Sequence, residues 1–179
     1  MGWTFYHLDN PNKVEEVRNL YTWESGDATC RVVDITTSGN VVYAAVHYRS
    51  SKENYIHAAV VLTANRNDWF NFGYKAMSED MWPGYTDCPK HILDKLTPTN
   101  NEYALEWRKA CEDKRKRKNA LARLKEGTRI MSGGKPLRLV TMSVRRKPKK
   151  YWLIEEDGAI TYTYVKQSWI LQKGWEVIK

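Results

Sequence analysis

Lys114, Arg115, Lys116, Arg117 and Lys118 are five consecutive cations inside a stretch that otherwise keeps helical spacing. At 3.6 residues per turn, such a run points to every side of a helix, so no face of the segment can be buried in a core. A chain interrupted there must build its cores on either side. The expected organisation is an α+β module over residues 1–101, built on an antiparallel sheet with helices, then a long basic connecting helix over 102–126. A small β module over 127–179 completes it. With 179 residues, 42% apolar and 28% charged, the chain has enough apolar material for one good core or two small ones.

The periodicities support this division. Asn10 and Pro11 fit a helix cap and first turn, with Val14, Val17 and Tyr21 at helical spacing behind them, which predicts a short helix through Asn19. From Thr29 the period becomes two. Cys30–Thr37, Val41–Arg49 and Tyr55–Ala64 read as an antiparallel meander, and Trp69–Met77 as a fourth strand. Trp82-Pro83-Gly84-Tyr85 reads as an exposed aromatic loop. Asp87 with Pro89 should open a short helix, and Thr99 with Glu102 a longer one, whose apolar face is Tyr103, Trp107, Ala110 and Cys111. After Gly127, five short β-rich runs, one pair joined by Asp157-Gly158, predict a small SH3-like β-barrel with the preceding helix as its lid.

Charge is distributed as unevenly as structure. Residues 1–107 carry nine Lys/Arg and fourteen Asp/Glu, whereas residues 108–179 carry twenty and seven. Segregation of this kind suits a surface laid on a polyanion, where each neutralised phosphate releases condensed counterions. The cations fall in two clusters: Arg108, Lys109, Lys114, Arg115, Lys116, Arg117, Lys118 and Arg123 on the helix, and Arg145, Arg146, Lys147, Lys149 and Lys150 between two strands. Tyr151, Trp152, Tyr162, Tyr164, Trp169 and Trp175 follow the second cluster and supply rings on which bases stack, with Trp152, Tyr162 and Tyr164 the leading candidates. Trp82 and Tyr85 are the candidates for a protein contact.

Other constellations point to chemistry less well. Cys88 and His91 have the spacing of two zinc ligands but lack a second close pair, and no carboxylate in sequence supports them as nucleophile and base. His47 and His57 face each other if the intervening hairpin pairs residues summing to 104, and lie on opposite faces if the sum is 103. Glu79, Asp80, Asp87 and Asp94 match no nuclease motif, and Gly133-Gly134-Lys135 lacks phosphate-loop spacing. No metal, cofactor or catalytic residue is therefore expected. Three scattered cysteines and an amino terminus without a basic or apolar leader suggest a reducing cytoplasm, and no run is apolar enough to span a membrane.

Met1-Gly2-Trp3-Thr4 with Tyr6-His7, Phe72-Gly73-Tyr74-Lys75 with Met77, Pro83-Gly84 through Cys88-Pro89 with Ile92-Leu93, and Tyr103-Ala104 with Trp107-Arg108 form a recurring set. Over residues 1 to 130 it resembles a family of small uncharacterised proteins encoded by phages and mobile elements. The resemblance implies a bacterial cytoplasmic setting and carries no catalytic residue. The expected function is thus non-enzymatic binding of nucleic acid, DNA or RNA, with interference with a host nucleic-acid-handling or defence complex as its setting. A protein-binding inhibitor or adaptor acting through Trp82 and Tyr85 is the alternative, and an enzyme acting on nucleic acid a third.

Overall fold

The computed structural model describes residues 2–66, 68–144, 150–170 and 175–178. The chain forms two compact units, residues 1–114 and 115–179. The division falls within the long helix, at the cationic run.

In the first unit the strands are β1 (Thr4–Tyr6), β2 (Trp23–Ser25), β3 (Ala28–Ser38), β4 (Val41–Arg49), β5 (Asn54–Asn65) and β6 (Phe72–Ser78). They form one antiparallel sheet in the order β1-β6-β5-β4-β3-β2. Val41 through Val46 are all buried, so β4 reads as a continuous apolar run, because both sheet faces are covered. On one face Val42 and Val61 pack with Val17 of helix α1 (Lys13–Leu20). On the other, Val41, Tyr43, Ala45, Val60 and Leu62 pack with Ile92 of α2 (Lys90–Leu93) and with Trp107 and Cys111 of α3 (Glu102–Ala122).

Several boundaries differ from expectation, each for a local reason. Asn12, not Asn10, caps α1: its Oδ1 accepts from the Val14 and Glu15 amides at 3.1 and 3.4 Å. Pro89 occupies the cap position of α2, where its ring has no polar atom to cap with, and Asp87 instead pairs with Lys114 at 2.7 Å. Asn101 caps α3, accepting from the Ala104 amide at 3.0 Å, while Thr99 Oγ1 accepts from Asn101 itself. The buried stripe of α3 is accordingly Ala104, Trp107 and Cys111, and Tyr103 is exposed. β6 starts only at Phe72, leaving Trp69 and Phe70 exposed. β1 and β2 were not expected. Phe5 of β1 lies directly over Gly73, where a Cβ would stand 2.3 Å from its ring.

The second unit contains β7 (Arg129–Ser132), β8 (Lys135–Val144), β9 (Lys150–Glu156), β10 (Ala159–Lys166) and β11 (Trp175–Val177). Their antiparallel order is β10-β9-β8-β7-β11. Asp157 and Gly158, at φ 49° and 80°, make the expected tight hairpin. Register shifts between Leu139 and Met142 and between Thr161 and Tyr164 curl the sheet. Its core is Ile130, Leu139, Trp152, Ile154, Val165 and Ile170, against which Leu121 and Leu124 pack. The chain is thus α+β, with two antiparallel sheets. Among the described residues, no helix is long and apolar enough to cross a membrane.

Candidate functional site

The unit boundary sharpens the charge asymmetry. Residues 115–179 carry seventeen Lys/Arg against five Asp/Glu, and residues 1–114 twelve against sixteen. Two acids of the second unit are already matched: Glu156 accepts from Lys135 at 2.6 Å, and Glu155 lies 3.8 Å from Arg138. Lys116, Arg117, Lys118, Arg123, Lys125 and Arg129 are exposed along the end of α3 and the approach to β7. They are the candidate polyanion-binding residues.

The helical cations expected to act together have separate roles. Arg108 closes its guanidinium on buried Glu79, with Nε to Oε2 at 2.6 Å and Nη2 to Oε1 at 2.8 Å, and donates from Nη1 to the Thr97 carbonyl at 2.9 Å. It is an internal brace in the first unit. Lys109 is exposed, and Lys114 pairs with Asp87. Arg115 is half-buried, and its Nη1 is enclosed with no hydrogen-bond partner among the described residues. Arg117 reaches the Ser168 carbonyl at 3.3 Å.

The second cluster divides likewise. Arg145, Arg146, Lys147 and Lys149 lie outside the described residues, as do the side chains of Lys150, Tyr162 and Tyr164. Trp152 is 3% exposed and belongs to the second core, where its indole cannot stack on a base. In the first unit, Trp82 and Tyr85 are exposed beside exposed Met81, with Trp82 in the left-handed region at φ 48°. Trp107 Nε1 donates to the Tyr85 carbonyl at 3.1 Å and so ties this loop to α3.

The sparse catalytic constellations come apart. β4 and β5 pair His47 with Ile56 and Val46 with His57, the register of 103, so the two imidazoles point to opposite faces. Cys88 is buried in the core while His91 is exposed. Asp80 accepts from Ser78, Asp87 pairs with Lys114, and Asp94 with Lys90. Burial pushes the Cys111 thiol up to about 12 and raises that of Cys30 as well, which suppresses thiolate chemistry at both.

A cleft of about 730 Å³ opens where β6 ends and β5 continues past it, lined by Tyr55, His57, Ser78, Asp80, Asn100 and Arg108 among others. The exposed edge of β5 is closed by side chains: Glu79 Oε1 accepts from the Ala58 amide at 3.2 Å and Thr97 Oγ1 from the Ile56 amide at 2.8 Å. Burial lowers the His57 pKa, against the raising influence of the Glu79 and Asp80 charges. No family model, curated protein or solved structure matches this chain. Its chemistry rests on its own residues.

Sequence reasoning missed the Glu79–Arg108 brace because its partners are 29 residues apart and Arg108 reads as one more cation. Its position next to Trp107, on the rim of the buried stripe, was the available sign. Trp169, one of the rings expected from sequence to be available for stacking, is exposed and follows the Ser168 carbonyl that Arg117 bonds.

Proposed function

We propose that this protein binds nucleic acid without catalysing its turnover, through the exposed cations Lys118, Arg123, Lys125 and Arg129. The observation that carries the reading is that these cations remain exposed in a unit whose Glu155 and Glu156 already face Arg138 and Lys135. Burying these charges would demand matching acids, whereas at the surface a phosphate backbone can neutralise them from outside. The strand order β10-β9-β8-β7-β11, with a 3₁₀ turn at Gln167–Trp169 before the last strand, supports reading the sheet as a small SH3-like barrel. The resemblance to phage and mobile-element proteins adds a proposed setting in the bacterial cytoplasm, where such binding would interfere with a host nucleic-acid-handling or defence complex.

The test is the salt dependence of binding to a non-specific duplex. About four phosphate contacts give a log–log slope near −3.6, and the double charge reversal Lys118→Glu/Arg123→Glu should flatten it by about two. A slope near zero would refute the reading.

A second reading, a protein-binding adaptor, draws on the exposed Met81, Trp82 and Tyr85 and on the left-handed backbone of Trp82. Exposed aromatic residues on a fixed loop suit a hot spot. Trp82→Ala should then abolish capture of a protein partner that survives nuclease treatment, and leave nucleic-acid binding intact.

A further inference from the structure

The 3₁₀ turn Gln167–Trp169 is fastened to α3 at two points. Arg117 Nη2 donates to the Ser168 carbonyl at 3.3 Å, and Gln167 Nε2 donates to the Leu121 carbonyl at 2.9 Å. Arg117 and Leu121 are four residues apart and share one side of the helix, so the turn lies along that side. Ile170, the next residue, is fully buried with Leu139 and Trp152 in the second core. The turn is therefore held from both ends, and between those anchors Trp169 is left 54% exposed.

An indole contributes most to stability when buried, and the core takes Ile170 and Trp152 instead of Trp169. Its place is beside two cations: Arg117 is bonded to the residue before it, and Lys118, three residues before Leu121, lies on the same side of the helix. Duplex DNA offers such a surface phosphates but keeps its base faces inside the stack. An unpaired strand offers both, and base–aromatic stacking needs no particular base because every base has a π-face.

We propose that Trp169 is the base-stacking platform of the basic face and that the preferred ligand is a single strand. It would lay its phosphates along Arg117 and Lys118 and rest one base on the indole. This inference rests on the nucleic-acid reading above and adds the strand state of the ligand. Trp152, with its ring in the core, takes no part.

The test uses the full chain and labelled oligo-dT and oligo-U of about 15 nucleotides, within the usual single-strand site range, beside a duplex of equal length. Wild type should bind the single strands more tightly than the duplex, and the dT and U arms tell whether DNA or RNA is preferred. Trp169→Ala should weaken single-strand binding by at least about fivefold and up to about a hundredfold, with duplex binding kept within about twofold. Trp169→Phe should retain most of the single-strand affinity, and Trp169→Leu, apolar but not planar, should lose it. Equal loss on single strand and duplex, or no loss on either, would overturn the stacking role while leaving the polyanion face in place. Failure of wild type to bind any of the three would overturn both readings.

Discussion

At the residue scale, the groups that matter most to the fold are polar ones the core has accepted. The Glu79 side chain is 4% exposed and that of Arg108 19%, and the pair is closed by two charge-assisted bonds with a third to Thr97. Removing one partner strands the other charge, so Glu79→Ala or Arg108→Ala should each cost about 3–5 kcal/mol in urea unfolding. The double replacement Glu79→Leu/Arg108→Leu should recover most of that loss. A double variant as unstable as the sum of the singles would show that packing, and not charge, sets the cost. His57 lies in the same cleft with its pKa lowered by burial. The unfolded chain takes up a proton near the ordinary histidine value of about 6.5 while the folded chain does not, so stability attributable to His57 is full above that pH and falls as pH drops toward the folded value. His57→Gln removes this component. Its stability relative to wild type should therefore rise from pH 7.5 to pH 5, and a difference independent of pH would contradict the assignment.

At the element scale, what could be read in advance depended on length and on whether a local rule was sufficient. β3, β4 and β5 were legible because nine or more residues keep a strand pattern between turn residues. β1 and β2, at three residues each, carry too little pattern; they exist because β6 and β3 offer edges to pair with. The register between His47 and His57 was illegible because the Ser50–Asn54 loop admits either pairing. Arg49 pairing with Asn54 settles it. Caps failed for a different reason, since several Asn, Asp and Thr residues crowd each helix start and only the bonded one identifies itself. For α3 that residue is Asn101. Asn101→Ala should destabilise the first unit by about 1 kcal/mol, and Thr99→Ala by less, because Thr99 Oγ1 bonds only the cap residue's amide. Chemical denaturation of the two variants orders them, and equal losses would remove Asn101 from the cap.

At the scale of the whole molecule, the cationic run that forbids a continuous core also marks the division between the two units. The two units differ in charge balance. The first unit has a small excess of acid and spends Asp87 and Glu79 on Lys114 and Arg108. The second has seventeen cations against five anions and so repels itself within one small fold. The candidate site was legible as a charge excess for this reason, while its members were not: burial removes Arg108 and Trp152 from the surface, and only the fold brings Trp169 beside Arg117. Self-repulsion is screened by salt, with a Debye length falling from about 30 Å at 0.01 M to about 8 Å at 0.15 M. Added salt should therefore stabilise the second unit more than the first. Hydrogen exchange resolved by residue measures this directly: amides of β8 and β9 should gain protection between about 0.01 and 0.15 M salt, while those of β4 and β5 change little. At low salt, a bound polyanion should produce the same gain, since it replaces small counterions with a fixed array of charge. Equal salt responses in both sheets would mean that the cations are already balanced within the fold, leaving no excess for a ligand to neutralise.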